Sequence, residues 1–499
     1  MISILLSKLL PLLDLEKSWH YADLPITGIA FNSKKVKPGD LFIAICGTQV
    51  DGHDYIAQAL GQGAVACIVE KEVTALPKVV PILQVSNSRL ALSHVANAFY
   101  QNVSEKLKIV GITGTNGKTT MSCLVQAILN HAGISCGRMG TIGYQYGEHF
   151  IEALHTTPES TEIHQVLAKM LSHGVQAVAM EVSSHAIDLH RVADVQFDVA
   201  VFSNLTPEHL DYHQDMETYF AVKQRLFLEL LPRGKGLKKS IINADDPYGL
   251  KLIESLEAAA LDYWSYSTHA QSKWDIFVTD WKSTLEGITA QIMTPQGELS
   301  IHSPLIGAFN LSNILAAISV AVAWEVPLAI ISEALASYAD VPGRLQKIEN
   351  PQGVHVYVDY AHTPDALKNV LQTLRELNPP RLITVFGCGG DRDAQKRPIM
   401  GCEVAKYSDA AIVTSDNPRT EDPQQIIEDI LPGVQEGGLE LEKNCWVEPD
   451  RRQAIFKALQ FAQEGDLVLI AGKGHEDYQI LGKEKVHFDD REVVREFFK

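Results

Sequence analysis

The sequence predicts an α/β protein in three blocks, the second and third built around parallel sheets. Three observations predict it. Short apolar runs of strand length alternate with amphipathic helical stretches along most of the 499 residues. Several of those runs end in polar residues, which is where parallel α/β sheets place their ligands. Near residues 275–305 the pattern changes to alternating "GITAQIM" and "GELSIHS" around Pro295, Gln296 and Gly297. That is a hairpin signal, and it adds a small antiparallel sheet to the second block.

Apolar residues make up 46% and charged residues 21% of the chain, ordinary for a soluble globular protein. The length suits roughly three domains. The formal net charge is -18, with no long Lys/Arg run, which argues against nucleic acid or an anionic membrane as partner. Any anionic ligand must be held by loop amides, helix N-termini and a few placed bases. The seven cysteines are scattered and form no CxxC pair, so reduced thiols in a cytosol are expected instead of a disulfide framework or zinc site. "MISILLSKLLPLLDLEK" lacks a basic n-region and a small-residue cleavage site, and it reads as a short packed helix. The stretch nearest to a membrane span, Ala316 to Ile331, contains Glu325 and Pro327. A cytoplasmic protein without membrane insertion is expected.

The first block, residues 1–103, mixes short strands such as "GDLFIAICG" and "AVACIVEK" with helices. The second, residues 104–342, runs through the strands "VQAVAMEV", "FDVAVFSNL" and "SIINADD". The third, residues 343–499, has "VHVYVDY", "RLITVFG", "AAIVTSD" and "DLVLIAG" as strands. Among its helices is Pro364–Leu377, which Thr363 can cap with Pro364 in the first position.

"GITGTNGKTT", residues 111–120, follows a strand and opens a helix with Met121, Leu124, Val125, Ile128 and Leu129 on one face and Gly133 at its close. This is the context a phosphate cradle requires. Glycines let backbone amides approach the oxygens, Lys118 reaches the β/γ phosphates and Thr119 can ligate Mg²⁺. The strict GxxxxGK pattern wants glycine at 112, where this chain has Ile112; the glycines fall at 111, 114 and 117. ATP is the expected ligand, without saying what the ATP is for.

Glu181 ends the next strand, "NLTPEHLDYH" (204–213) supplies His209 and His213, and "NADD" (243–246) ends the strand after that. Glu, His and Asp at one sheet edge suit magnesium and phosphates and not zinc. Lys223, on the helix "YFAVKQRLF", reads by itself as solvated surface. "VTSDNPRTED" (413–422) is a proline-stiffened turn with one base, Arg419, at its tip.

Taken in order, TGTNGKTT, MEVSSH (180–185), NLTPEHLDYH, Lys223, NADD, "GAFNLSNILAA" (307–317) and "PGR" (342–344) resemble the Mur ligases of peptidoglycan precursor synthesis. The likeness spans nearly the whole chain. It implies a small UDP-sugar-binding N-terminal domain, a central P-loop ATPase domain and a Rossmann-like C-terminal domain that binds the incoming amino acid. Within the family, "FNSKKVKPGDLF" and "GTQVDGHDY" are similar to the branch that adds the third stem-peptide residue. "GCGGDRDAQKRP", "SDNPRTE" and "AGKGHEDYQ" are similar to members that add meso-diaminopimelate. The implied reaction uses ATP and Mg²⁺ to turn the D-Glu carboxylate of UDP-MurNAc-L-Ala-D-Glu into an acyl phosphate, which the amine of meso-diaminopimelate then attacks. These small molecules are the expected partners, and a monomer is expected.

The resemblance also implies site residues. Thr113, Gly114, Thr115, Asn116, Gly117, Lys118 and Thr119 form the ATP loop, with Asn310 and Asn313 near adenine, Arg344 near phosphates and Asp359 near ribose. Thr119 serves one Mg²⁺, Glu181 and His209 a second. Lys223 is carboxylated by CO₂ to an anionic carbamate, which needs a deprotonated, desolvated amine. Phe31, Ser33, Thr48, Gln49, Val50, His155, Thr156, Thr157, Ser183 and Arg191 match contacts to the UDP-sugar peptide. Arg392, Asp416, Asn417, Pro418, Arg419, Gly472 and Glu476 match contacts to diaminopimelate.

The glycines of "GCGGDRD" do not fit the GxGxxG of a dinucleotide site. The nearest alternative is a relative that adds L-lysine, whose cationic end Arg419 would repel. Folylpolyglutamate synthase-like ligases share the phosphate loop but not the first block or "DNPR". A different class, a P-loop regulatory or motor module, would release phosphate without forming an amide.

Overall fold

The computed structural model describes residues 3–16, 23–47, 50–73, 80–270, 273–338 and 340–499. Its compact units are two: Met1–Thr279 with Ile292–Leu299 and Ser312–Ala334, and Asp280–Gln291 with Ser300–Leu311 and Leu335–Lys499.

In the first unit, the N-terminal leucines form a short helix, Leu6–Leu9, that buries Leu6 and Leu9. A parallel four-stranded sheet follows, in the order Gly28–Ala30, Asp40–Ile43, Ala66–Val69, Ile82–Gln84. Its middle strands are buried along their whole length, because apolar side chains from one face pack under helix Ser88–Phe99 and those from the other under Ile56–Gly61. The larger sheet contains the parallel strands Cys136–Gly140, Ala177–Glu181, Lys108–Thr113, Val199–Phe202, Lys239–Asn243 and Tyr263–Ser267, side by side in that order. The alternation of sequential strands about Lys108–Thr113 is the reversal at which doubly wound sheets open a ligand crevice. Register sets four strand ends level: Glu181 pairs with Ile112, and Thr113 with Phe202, whose other neighbour is Ile242.

The hairpin strands Gly287–Thr294 and Gly297–Ser303 turn at Pro295 and Gln296, as the sequence predicts. They make no separate layer. Strand Ile276–Thr284 pairs Ile276 with Tyr266, and the hairpin continues the same sheet.

The second unit has a six-stranded sheet in the order Gln346–Ile348, His355–Asp359, Leu467–Ala471, Leu382–Phe386, Ala410–Val413, Cys445–Val447. All its pairings are parallel except at the first edge. Helix Pro364–Glu376 is capped by the Thr363 side chain, which accepts from Ala366 N–H. Cores lie on both sheet faces. Ile306 belongs to one of them, which is why Ser300–Leu311, assigned by sequence to the middle block, goes with this unit.

Candidate active site

Strand Lys108–Thr113 carries Ile112 fully buried between its two neighbours. The strand therefore runs one residue past the position where the strict motif needs glycine, and the loop itself is Gly114–Gly117. Gly114 has φ 145, and a β-carbon there would collide with Ser203 Oγ. Gly117 has φ 90 and lies against the Asn313 side chain. Both demand glycine. The loop is clamped to the segment after the next strand: Thr115 N–H donates to Asn204 O at 2.9 Å and Asn116 N–H to Asn204 Oδ1 at 2.9 Å. Helix Lys118–His131 starts at its end, the first turn closing from Met121 N–H to Gly117 O. Its predicted apolar face is buried throughout, so the helix N-terminus is fixed at the loop. Lys118 Nζ donates to Gly114 O at 2.8 Å and Thr115 O at 2.7 Å.

Glu181 is wholly buried. Its carboxylate accepts from Thr119 Oγ1 at 3.1 Å, Thr141 N–H at 3.1 Å and Thr141 Oγ1 at 3.0 Å. Thr141 is a residue that sequence reasoning missed; it lies just past a strand end and belongs to no motif. The carboxylate and hydroxyls are hard oxygen donors, which fit Mg²⁺.

Lys223 is not solvated surface. It is 1% exposed, with Nζ donating to Gly114 O at 3.0 Å and Thr113 Oγ1 at 3.4 Å and lying 4.8 Å from the Tyr219 ring. Burial holds its pKa well below the usual lysine range, and Lys118 nearby lowers it further. His209, at φ 57, sits edge-on to His185 at 5.0 Å. Burial, with His209 and His213 beside it, pushes His185 down to about 4, so this ring stays neutral near pH 7. The aspartates of NADD are structural. Asp246 caps helix Pro247–Ala258 and Asp245 accepts from Ser267 and Thr268. Their oxygens serve backbone and hydroxyl donors, which corrects the expectation that they join the metal cluster.

A second network runs from Glu181 through neighbouring threonines. Thr157 Oγ1 donates to Glu181 O at 2.8 Å and accepts from Ser183 N–H at 3.1 Å. Thr141 Oγ1 meets Thr156 Oγ1 at 3.0 Å, and His155 O accepts from Tyr144 at 3.2 Å. Arg191 donates to Thr157 O at 3.0 Å and pairs with Glu159 at 3.0 Å, while Glu159 also pairs with Arg89 at 3.3 Å. Ser33 is buried and donates to Gln58, whereas Phe31 and Val50 are exposed. Thr48 and Gln49 lie outside the described residues.

In the second unit, Asn310 Nδ2 donates to Ile306 O at 2.9 Å. Asp359 accepts from Leu345 N–H at 2.7 Å and Ala361 N–H at 2.8 Å, so its carboxylate fixes the turn that carries Arg344. The Arg344 guanidinium covers the Tyr360 ring at 4.7 Å. The "DNPR" stretch is no surface turn. Asp416, Asn417 and Pro418 are buried, and Arg419, at φ 51, donates its N–H to Ile480 O at 3.1 Å and its Nη1 to Gly390 O at 2.7 Å. Asn417 Nδ2 donates to Glu476 at 3.0 Å, and its Oδ1 accepts from Lys473 at 3.0 Å. Gly472, at φ 117, brings the chain within 3.8 Å of the Asp416 carboxyl when a β-carbon is imagined there. Arg392 is exposed, with Nη1 on Asp391 O. Lys473 is the second residue the sequence did not single out.

A glycine loop opening a helix, beside the buried Glu181 carboxylate and the buried Lys223, is the geometry of a phosphate-binding enzyme. The chain belongs to the Mur ligase family. It matches the models of the Mur ligase family catalytic domain over residues 25–100, the Mur ligase middle domain over 112–321 and the Mur ligase glutamate ligase domain over 343–474. Its relatives include the UDP-N-acetylmuramoyl-L-alanyl-D-glutamate–2,6-diaminopimelate ligases of Geobacter metallireducens, 46% identical over 95% of this chain and 94% of that one, and of Syntrophomonas wolfei, 45% identical over 96% and 95%. A solved structure of a ligase with the same name has a TM-score of 0.72 at 33% identity, covering 99% of both chains. A MurF ligase from Thermotoga maritima solved with ADP shares the fold, at TM-score 0.60 and 20% identity over 94% of this chain and 96% of that one.

Proposed function

We propose that this chain joins meso-diaminopimelate to UDP-MurNAc-L-Ala-D-Glu at the expense of ATP, in the cytoplasm and as a monomer. The observation that carries the reading is 46% identity over 95% of the chain to relatives that bear this activity in their name. The three parts of the reading are residues 1–103 for the UDP-sugar, 104–342 for ATP and 343–499 for the amino acid.

The residues supply the steps. Thr113 to Thr119 hold the ATP phosphates, and the Lys118 ammonium leaves its loop carbonyls for the β and γ oxygens. Asn310, Asn313, Arg344 and Asp359 serve the nucleoside and its phosphates. Thr119, Glu181, His209 and Lys223 as its carbamate would hold Mg²⁺, which would supply neutralisation of charge on the transferred phosphoryl group. Lys223 reaches its carbamate when the neutral amine adds to CO₂ and gives up one proton. Phe31, Ser33, Thr48, Gln49, Val50, His155, Thr156, Thr157, Ser183 and Arg191 orient the nucleotide-linked dipeptide. The D-Glu carboxylate oxygen bonds to the γ-phosphorus and ADP leaves. A diaminopimelate amine then adds to the acyl carbon, loses a proton, and phosphate departs.

The distal end of diaminopimelate carries a carboxylate and an ammonium, which suit Arg419 with Arg392 and Glu476 with Asp416 respectively. L-Lysine lacks that carboxylate and leaves Arg419 facing a cation. The test is an ADP-release assay with UDP-MurNAc-L-Ala-D-Glu, run with diaminopimelate and with L-lysine, with the product weighed by mass spectrometry. Amide product with diaminopimelate in large excess over L-lysine is expected. Preference for L-lysine, or phosphate release without amide, overturns the reading.

A further inference from the structure

We propose that Lys473 is a positioning residue of the amino-acid site, holding the Asp416 and Glu476 carboxylates and the Asn417 amide ready for the distal ammonium of the incoming amino acid. This rests on the amino-acid-adding function proposed above. The Lys473 side chain is fully buried, and Nζ donates to Tyr478 O at 2.7 Å and Asn417 Oδ1 at 3.0 Å. Its remaining direction faces two acids, Asp416 and Glu476, each at 3.4 Å. An ammonium has three donors, so the acids share what the two neutral acceptors leave. Asp416 Oδ1 is buried without a hydrogen bond among the described residues, which leaves it an acceptor for a ligand.

Behind the cluster, Arg451 and Asp490 form a two-point ion pair sealed from solvent, at 2.8 and 2.7 Å, and Arg451 also donates to Ala471 O. That pair is neutral as a whole. Lys473 offsets one of the two remaining carboxylates, which leaves one negative charge in a largely buried cluster, the complement of one ammonium. Without Lys473 the two acids would face each other with Arg451, bonded to Asp490, as a remaining nearby cation, and the Glu476 pKa would rise further. Charged and titratable groups around Glu476 include Lys473, Asp416, Arg451 and Tyr360, with Tyr478 and Arg344 facing Tyr360. Burial pushes the Glu476 carboxyl up, Lys473 pulls it down and Asp416 pushes it up again.

The sign follows. Glu476 receives an ammonium only when ionised, so kcat/KM for diaminopimelate falls as pH drops through its pKa. Removing the Lys473 charge raises that pKa and moves the acidic limb to higher pH. The experiment measures pH profiles of kcat/KM for diaminopimelate, with ATP and the UDP-substrate saturating, in wild type, Lys473→Met, Lys473→Arg and Glu476→Gln. Expected for Lys473→Met are a KM for diaminopimelate raised by about tenfold, an unchanged KM for ATP, and a limb about one pH unit higher. Glu476→Gln loses the limb, and Lys473→Arg keeps it in place. A limb unmoved in Lys473→Met overturns the proposal. If Lys473→Met does not fold, an upward move of the limb in Lys473→Arg does the same. Failure of the wild type to add diaminopimelate would instead sink the functional reading, so the two failures separate.

Discussion

Lys223 in the central block and Lys473 in the C-terminal block are both sealed from water, yet their surroundings differ in one respect. Lys473 has two carboxylates at 3.4 Å. Lys223 has a carbonyl, a hydroxyl and an aromatic face, and no carboxylate pairs with it among the described residues. Burial disfavours the charged form of Lys223, with only Glu208 acting against it, whereas Lys473 has two carboxylates in ion-pair range. Lys223 is held toward the neutral amine, the form that CO₂ addition requires; Lys473 is ion-paired with Asp416 and Glu476. Depth alone therefore says nothing about what a buried lysine does, and the partners decide.

The sharpest way to break that contrast is Lys223→Ala. It should lower kcat by on the order of 10²–10³, the scale of removing one transition-state electrostatic group, leave the KM for diaminopimelate unchanged, and be partly rescued by a short carboxylate such as formate. Steady-state kinetics with near-normal kcat would end the proposed role. Next comes Arg419→Ala, which removes one charge-assisted pair of about 2 kcal/mol and should raise the KM for diaminopimelate by about 30-fold. The KM for ATP should stay put; an equal rise in both would show a loop defect and not a lost contact. The smallest effect belongs to Glu159→Gln, which weakens the Arg89–Glu159–Arg191 chain. A rise of about fivefold in the KM for the UDP-substrate is expected, or about 1 kcal/mol, and no change at all would remove Glu159 from the account.

Much of this was legible in the sequence, for identifiable reasons. The strands and the phosphate-loop helix are strongly periodic, and Thr363 with Pro364 signals a helix start that the structure reproduces. Besides Thr141, two features were hidden. The NADD aspartates are ambiguous, since the same residue that ligates a metal also caps a helix, and only the hydrogen bonds show that Asp246 caps one. Lys473 sits in a glycine-flanked loop with no periodic pattern to mark it as buried. Its burial depends on the strand Tyr478–Leu481 and the 416–419 segment closing over it, contacts between residues distant along the chain that no local pattern encodes. Lys223 lay between these cases. Composition and periodicity place it on a helix surface, and only the family motif around it pointed inward.

The contrast between the two lysines is tested most directly by carbon-13 NMR of the protein equilibrated with ¹³C-bicarbonate. One carbamate resonance is predicted in wild type, absent from Lys223→Ala and retained in Lys473→Met. A wild-type spectrum without that resonance, or one whose resonance survives Lys223→Ala and vanishes in Lys473→Met, would contradict the assignment of the CO₂-reactive amine to Lys223.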